Sequence, residues 1–488
     1  MIKPALDEAK ILAEGNTVIP IAMEMYSDVK TSVEILRNIR SRSDRFYILE
    51  SVTGSDSWGR YSFLGYNPTV TVRGRDGSIT IQNGGAPTVR EGSPMEVLRE
   101  MLGRYKSPRI PYLPPFTGGF VGYFAYDCVK YFIPTLTLNA ADKEDFDDFH
   151  LMLMDKVIAF DHFRQKIYLV VNISTDDLEN NYIKGVTTLK DMERMILSET
   201  PPEPPRENSC GAFTSAFSKE QYCAMVDKAK AHILEGDIFQ VVLSNRYEAP
   251  FQGDLLETYR ILRTTNPSPY MVYFHFGDME IAGASPETLI SLKDGVVSTF
   301  PLAGTCTRGK TEEEDKALIA ALLADSKEGA EHDMLVDLGR NDLGRISEYG
   351  SVELTQYQLI HKYSRIMHIC SQVEGNIRAD ADGLDAIAAV LPAGTLSGAP
   401  KIRAAEIIEE METEPRGIYG GALGYIDFTG NLDTCIAIRM AMKKDGYVYV
   451  QSGGGIVADS VPEAEYEESY NKAAAVISAI EQAGEVDL

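Results

Sequence analysis

The stretch Asp325-Ser-Lys-Glu-Gly-Ala-Glu-His-Asp-Met-Leu-Val-Asp-Leu-Gly-Arg-Asn-Asp342 is the part of the sequence around which the rest is interpreted. Glu328 and Glu331 lie three residues apart in it, so on a helix their carboxylates project from one face. Glu465 and Glu468 repeat this spacing near the other end of the chain. Four carboxylates gathered in one place repel one another unless a divalent cation neutralises them. We therefore predict that both pairs face one Mg²⁺, which holds an anionic substrate.

The spacing does not define a site by itself. The chain has 72 Asp and Glu residues, and Glu409 with Glu412 forms a third pair of the same kind. Most such pairs are solvated faces of helices. The neighbouring motifs must therefore distinguish a site from a surface.

Composition excludes several functional classes. The net charge of −25 argues against a nucleic-acid or anionic-membrane surface. A hydrophobic content of 44% and a charged content of 24% are typical of a soluble globular enzyme, and 488 residues allow a large core. We see no signal-like start and no run long enough to span a membrane. Six cysteines without a Cys-x-x-Cys pair predict neither zinc nor disulfides, so the expected location is the cytoplasm.

Strand and helix signals are mixed along the chain, which predicts a large α+β fold. Strand-like runs occur at 434–443 and 447–451, and Ser460 is the expected cap of the last helix. A proline-rich stretch indicates a linker at 201–217, between an N-terminal part (1–200) and a catalytic part (218–488) that we expect to pack together. Helices are predicted near 184–198 and at 219–235, 254–264, 311–325, 329–338, 399–412 and 462–482.

The segment Gly304-Thr-Cys-Thr-Arg-Gly-Lys-Thr311 fits the pattern of a phosphate-binding loop. Four acidic residues, 312–315, follow it in the first helical turn, where the phosphate charge would have to lie. We therefore reject nucleotide binding at this segment.

Several elements of the second half are suited to hold anions. Pro392–Lys401 leads into a helix, and its free amides and Thr395 can hold a carboxylate. Ser452-Gly-Gly-Gly455 permits close backbone approach, and Arg439 can grip a carboxylate at two points. His368 has apolar neighbours, a pattern that fits a satisfied core histidine as well as a catalyst.

The order of the motifs along the chain indicates a resemblance to a known enzyme family, which no single motif would indicate alone. The sequence resembles the chorismate-utilising enzymes, and within them the component I branch of the anthranilate synthases, densely over 210–485. The segments that carry it are Gly236–Ser244, Gly283–Thr288, Pro301–Thr305, Glu328–Asp342, Pro392–Ala405 and Glu465–Ala474.

The resemblance implies a two-layer fold of antiparallel sheets with helices on the outside. It also implies that Glu331 and Glu468 bind Mg²⁺ directly, and that Glu328 and Glu465 act through metal-bound water. The metal would fix the ring carboxylate of chorismate. The remaining contacts with chorismate would come from Thr395, Tyr419, Arg439, Gly304, Thr305, Gly453, Gly454 and Gly455.

The resemblance further implies the catalytic residues. Glu287 would protonate the departing C4 hydroxyl while ammonia adds at C2, and His368 would serve the elimination of pyruvate. Gln240 stands where water-adding relatives carry a lysine base. Ala303 stands where the C4-aminating relatives carry a lysine nucleophile. Both positions favour anthranilate as the product.

A regulatory site is also implied, with tryptophan as the inhibitor. A carboxylate would meet its ammonium group, while aromatic and Met surface would meet the indole. An ordinary strand end packed on a turn is the alternative for the same segment. The residues expected at this site are Glu50, Ser51, Arg60, Pro269, Tyr270 and Met271.

We find no nucleophile elbow of a glutaminase, so use of glutamine requires a separate amidotransferase subunit that supplies ammonia. The alternatives are component I of an aminodeoxychorismate synthase, an isochorismate or salicylate synthase, and a non-catalytic aromatic-ligand sensor. The chain departs from the resemblance at Cys306-Thr307 and at Tyr470, beside the expected ligands.

Overall fold

The computed structural model describes residues 2–51, 59–138, 140, 143–198, 207–362 and 366–484. Within these residues the chain forms 26 strands. The strands are β1 (Ile2–Lys3), β2 (Val18–Tyr26), β3 (Phe46–Glu50), β4 (Tyr61–Tyr66), β5 (Val70–Arg75), β6 (Ser78–Gln82), β7 (Thr88–Glu91), β8 (Gly119–Phe124), β9 (Phe149–Met154), β10 (Lys156–Asp161), β11 (Lys166–Ser174), β12 (Ser209–Cys210), β13 (Thr214–Ser215), β14 (Gln240–Gln252), β15 (Tyr270–His275), β16 (Met279–Ser285), β17 (Thr288–Lys293), β18 (Val296–Thr299), β19 (Leu302–Thr307), β20 (Glu353–Lys362), β21 (Ile366–Asn376), β22 (Gly398–Ala399), β23 (Ala422–Asp427), β24 (Leu432–Ile436), β25 (Met440–Lys444) and β26 (Tyr447–Ile456).

The same residues form twelve α-helices, together with short 3₁₀ turns at Tyr126–Cys128 and Gly394–Leu396. The helices are α1 (Leu6–Leu12), α2 (Ser32–Arg40), α3 (Pro94–Leu102), α4 (Val129–Phe132), α5 (Leu178–Leu197), α6 (Lys219–Glu235), α7 (Leu256–Thr265), α8 (Glu312–Ala324), α9 (Ser326–Gly344), α10 (Gly383–Val390), α11 (Lys401–Met411) and α12 (Pro462–Ala483).

The strands assemble into two large antiparallel sheets. The first runs β1-β2-β11-β10-β4-β3-β15-β16-β25-β26-β14-β12, with β13 and β22 also paired to β14. The second runs β19-β21-β18-β17-β24-β23-β8-β9-β5-β6-β7, with β20 paired to β21. This arrangement confirms the predicted α+β fold with antiparallel sheets.

The inner faces of the two sheets pack against each other. A buried apolar cluster joins Tyr168 and Phe274 of the first sheet to Val121 and Leu423 of the second. Separate clusters cover the outer faces, where helices bury their apolar sides; α5, α7 and α12 do so on the first sheet, and α9 and α10 on the second. The helices thus lie outside the double layer, as expected.

Both sheets contain strands from both parts of the chain. In the first sheet β3 pairs with β15, so that Glu50 lies opposite Met271. In the second sheet β8 pairs with β23. Residues 201–206 of the predicted linker lie outside the described residues, while β12 and β13 from its remainder pair with β14. The boundary at 201–217 stays a prediction.

The quoted stretch forms α9, which begins where the sequence supplies a cap. The Asp325 carboxylate accepts hydrogen bonds from the amides of Lys327 and Glu328. This bonding satisfies amides that have no partner within the helix. The helix runs to Gly344, so it is longer at both ends than the predicted 329–338.

Two local predictions are wrong. The run 434–443 is not one strand, because Arg439 adopts a φ of 54° between β24 and β25, and the chain crosses there from one sheet to the other. Ser460 does not cap α12, whose N-cap residue is Val461 with Pro462 in the first turn. The Ser460 hydroxyl instead accepts a hydrogen bond of 3.0 Å from the amide of Val457.

Candidate functional site

The two predicted acid pairs come together. Burial raises the pKa of Glu331 on α9, and the charges of Glu328 on the same helix and Glu468 on α12 raise it further. An effect of Glu468 on Glu331 requires the two carboxylates to lie near each other. Burial likewise raises the pKa of Glu465, with a further increase from Glu468. The pairs therefore share one electrostatic environment.

Two lysines that the sequence analysis missed balance part of this charge. Lys472 forms an ion pair of 2.7 Å with Glu468 and donates a hydrogen bond of 3.1 Å to the carbonyl oxygen of Gly453. Lys472 and Lys327 both lower the pKa of Glu331. The i,i+4 spacing of Glu468 and Lys472 was a readable signal.

The four carboxylates fit a hard divalent cation by their chemistry, since oxygen ligands from Glu are those that Mg²⁺ accepts. Burial raises the pKa of Glu331 and Glu465 first, and neighbouring carboxylates raise it further, so a cation at this place would offset an unfavourable negative charge. They do not form a closed cage, because in the described chain the one group of three ligand atoms within 4.8 Å of one another lies elsewhere. That group is His232, Glu235 and Asp237.

The glycine run of β26 (Gly453–Gly455) lies between α12 and β14. A Cβ on Gly453 would lie 2.4 Å from a backbone oxygen of β14, and one on Gly454 would lie 3.1 Å from a carboxylate oxygen of Glu465. A Cβ on Gly455 would lie 2.4 Å from the Nε2 atom of Gln240. The first contact, with backbone, leaves no room for a side chain, whereas the third would require the Gln240 side chain to move.

Glu287 occupies the turn between β16 and β17, where the Thr395 hydroxyl donates to its Oε1 over 3.0 Å. Burial raises the pKa of Glu287 to about 7, although the Thr395 bond and the charges of Arg439 and Lys472 lower it. A carboxyl group with such a pKa can hold a proton near neutral pH and release it. Since Oε1 accepts from Thr395, the acid form carries its proton on Oε2.

His368 lies on β21 opposite the backbone of Thr305 on β19, where Gly304 forms a bulge with a φ of 64°. The side chain of Thr305 is outside the described residues. Burial lowers the pKa of His368 to about 4, and the charge of Arg439 adds to this effect. The imidazole is therefore neutral at pH 7. A Cβ on Gly304 would lie 3.3 Å from a carboxylate oxygen of Glu328, which joins this bulge to the acidic cluster.

Arg439 connects these groups, because its charge lowers the pKa of both Glu287 and His368. Tyr419 is buried, and burial raises the pKa of its hydroxyl, so the phenol stays neutral and able to donate. Gln240 is 4% exposed, and its Oε1 atom has no hydrogen-bond partner among the described residues. Ala303 is buried in β19.

The residues expected to bind an inhibitor line one end of a cavity of about 1310 Å³. The cavity lies between the two sheets and extends from these residues to Glu287. Its lining includes Glu50, Ser51, Arg60, Pro269, Tyr270 and Met271. The structure thus brings the two halves of the expected site together.

The carboxylate of Glu50 already has several partners. It accepts from the hydroxyls of Ser32 (2.6 Å) and Tyr259 (2.5 Å) and from the guanidinium of Arg263 (2.8 Å). Arg60 is likewise paired at two points, with Asp161. Sequence reasoning does not identify such partners because they lie far apart in the chain.

The segment that resembles a phosphate loop uses its amides internally. The amide of Gly309 donates to Asp315 over 2.8 Å, and the amide of Lys310 donates to Glu314 over 2.6 Å. These acids take the place that a phosphate would need, which supports the rejection of nucleotide binding. The third acid pair is also structural: Glu409 accepts from the amide of Ala140, and Glu412 pairs with a buried arginine.

Comparison with known proteins agrees with the geometry. A sequence model of a family described as "chorismate binding enzyme" matches residues 45–478. Anthranilate synthase component 1 of Acetivibrio thermocellus is 46% identical over 100% of both chains. Anthranilate synthase component 1 of Pseudomonas aeruginosa is 44% identical over 96% of this chain and 97% of its own length. The predicted resemblance is therefore confirmed along nearly the whole sequence.

A solved structure shows the same architecture. The crystal structure of anthranilate synthase component I from Streptococcus pneumoniae superposes with a TM-score of 0.76 at 37% identity, covering 93% of this chain and 98% of its own. No helix among the described residues is long and apolar enough to cross a membrane.

Proposed function

Since this chain belongs to the chorismate binding enzyme family, we propose that it is component I of an anthranilate synthase, forming anthranilate from chorismate and ammonia. The observation that carries this proposal is the buried pair of Glu287 and Thr395. It supplies an acid with a pKa of about 7 within reach of the charges of Arg439 and Lys472. The resemblance of the motifs and the named relatives support the choice of product.

In the proposed reaction, the Oε2 proton of Glu287 passes to the C4 hydroxyl, which leaves as water while ammonia adds at C2. Pyruvate is then eliminated and the ring becomes aromatic. Neutral His368 is suited to accept a proton in the elimination step, because its lowered pKa keeps the ring unprotonated. The two groups meet different requirements: Glu287 must start protonated, and His368 must start neutral.

Chorismate is a dianion, and cationic and neutral donors would hold its two carboxylates. Arg439, Tyr419 and the amides of Gly453–Gly455 are assigned to the enolpyruvyl carboxylate. A Mg²⁺ ion held by Glu331 and Glu468, with Glu328 and Glu465 nearby, would neutralise the ring carboxylate and fix its position. Thr395 would contact the same carboxylate; because its hydroxyl has one proton, which it donates to Glu287 before substrate binds, this contact would replace the bond to Glu287.

The position of Gln240 disfavours a water-adding enzyme, because a neutral amide cannot deprotonate water as a lysine does. Ala303 disfavours amination at C4, since it has no nucleophile. A sensor without catalysis would not need a buried acid beside an acidic metal cluster, so we favour an enzyme.

We propose that tryptophan binds in the cavity lined by Ser51 and Tyr270 and inhibits by favouring one arrangement of the two sheets. The partners of Glu50 hold its carboxylate in place, so an ammonium group would have to share it with Arg263. We also propose an amidotransferase partner as the source of ammonia. The six free cysteines are consistent with a reducing compartment, and we propose the cytoplasm.

The direct test is the fluorescence of anthranilate formed from chorismate, ammonium and Mg²⁺, with and without tryptophan. Anthranilate formation that tryptophan suppresses is the expected result. Formation of isochorismate or of aminodeoxychorismate in place of anthranilate would overturn the proposed product.

A further inference from the structure

Arg416 lies in the loop between α11 and β23 and is 3% exposed. Its guanidinium pairs with Glu412 at two points, Nε to Oε2 over 2.8 Å and Nη2 to Oε1 over 2.6 Å. It also donates to the carbonyl oxygens of Leu396 and Val242. One side chain thereby ties together three segments that are far apart in sequence.

Each segment that Arg416 binds also carries part of the site. Leu396 directly follows Thr395 in the same 3₁₀ turn. Val242 lies on β14 opposite Gly455, the last residue of the glycine run. The guanidinium therefore contacts the backbone of two segments that carry residues of the site.

The aromatic contacts extend this arrangement to a third part of the site. The guanidinium carbon lies 5.8 Å from the ring centroid of Tyr419 and 4.9 Å from that of Tyr126. The backbone carbonyl of Arg416 also accepts a hydrogen bond of 3.2 Å from the amide of Tyr419. The planar fork of arginine serves the side-chain contacts with Glu412, Leu396, Val242 and the two rings at once, which an ammonium group cannot do.

Stability alone explains this arrangement poorly. Burying a charge pair is expensive, and apolar residues of the same volume often serve stability as well or better. The Glu412 carboxylate is itself held by the amide and hydroxyl of Ser244, at 2.8 and 3.0 Å. The network thus fixes positions at several points, which is what a site with two bound carboxylates and a general acid requires.

We propose that Arg416 is a positioning residue, whose guanidinium holds Thr395, Tyr419 and the glycine run at the separations that catalysis needs. The proposal rests on the proposed function, because it concerns the same substrate site. Arg416 itself is assigned no contact with the substrate. It acts through the groups that it holds.

The test is a double-mutant cycle between Arg416→Lys and Thr395→Val, with kcat and KM measured for chorismate and ammonium. Misplacement of reacting groups by about 1 Å can reduce rates by about 10²-fold, so we expect Arg416→Lys to lower kcat by roughly 10- to 100-fold. Thr395→Val should cost several-fold less in the Arg416→Lys background than in the wild type, since Thr395 is then already displaced. Arg403→Lys is the matched control, because Arg403 lies at the surface with three acidic partners.

An equal cost of Thr395→Val in both backgrounds would overturn the positioning role, as would unchanged kcat and KM in Arg416→Lys. A purely structural residue would reduce the amount of folded enzyme without changing the ratio between backgrounds. If Arg416→Lys does not fold, Glu412→Gln replaces it in the same double-mutant cycle. This substitution weakens the ion pair with Arg416 but keeps an oxygen that can accept its hydrogen bonds. The wild type measured in the same series tests the proposed function separately, since absence of anthranilate there concerns the reaction and not Arg416.

Discussion

From the hydrogen bond between Thr395 and Glu287 we predict how the pH dependence of activity changes when the bond is removed. The bond favours the charged carboxylate and so lowers the pKa of Glu287, which burial has raised to about 7. Thr395→Val removes the hydroxyl at nearly constant volume. The pKa of Glu287 should then rise above its wild-type value.

The size of the change follows from the bond. A hydrogen bond to a charged group contributes about 1.5–3 kcal/mol, and part of it is retained by the neutral acid. Since about 1.4 kcal/mol corresponds to one pKa unit, we expect an increase of roughly one unit. In the proposed reaction the protonated acid is the active form, so activity should fall as pH rises through this pKa. The alkaline limb of kcat/KM should therefore move about one pH unit upward in the variant.

The assay is anthranilate fluorescence between pH 6 and 9 at saturating Mg²⁺, with total ammonium adjusted so that free ammonia stays constant. Thr395→Ser keeps the hydroxyl and is the matched control, whose limb should stay in place. The absolute rate of Thr395→Val should also fall because the proposed substrate contact is lost, but the position of the limb does not depend on the rate. A limb that stays in place or moves downward in Thr395→Val would refute the assignment of Glu287 as the acid.

Three further predictions concern the metal site, the stability of the enzyme and the inhibitor site. Glu331→Gln should abolish both Mg²⁺-dependent turnover and the thermal stabilisation by Mg²⁺. The control Glu409→Gln, from the third acid pair, should leave both intact. Stabilisation by Mg²⁺ that persists in Glu331→Gln would contradict the metal assignment. Glu287→Gln should be more stable in urea than the wild type at pH 8.5, because burial raises the folded pKa above its unfolded value and the charged form then costs stability as pH rises. This advantage should grow by about 1 kcal/mol between pH 6 and 8.5, and a pH-independent difference would show that the group does not titrate there. Ser51→Phe should narrow the end of the cavity beside Glu50 and relieve tryptophan inhibition with kcat retained, and persisting inhibition would place the effector elsewhere.

The sequence by itself determined the local elements of the acidic site. Asp325 supplies the cap of α9, and the spacing of Glu328 and Glu331 places both carboxylates on one helical face, because these are interactions within a few residues. The order of the motifs along the chain also identified the family, because the motifs are themselves part of the sequence. The sequence further indicated that the acids after Gly309 exclude a phosphate, and their hydrogen bonds to the loop amides agree.

The tertiary structure decided which distant groups meet. The crossing at Arg439 depends on a backbone conformation that the run 434–443 does not reveal, because strand propensity describes neighbours and not sheet membership. The pKa of Glu287 depends on its burial, and the effect of Lys472 on Glu287 and Glu331 depends on packing that brings distant segments near one another. Arg416 and the partners of Glu50 were likewise invisible, because their contacts join segments that only packing brings together. Hydrogen bonds between neighbouring residues can be predicted from the sequence, whereas the electrostatics of a buried site depend on groups that only the folded structure brings together.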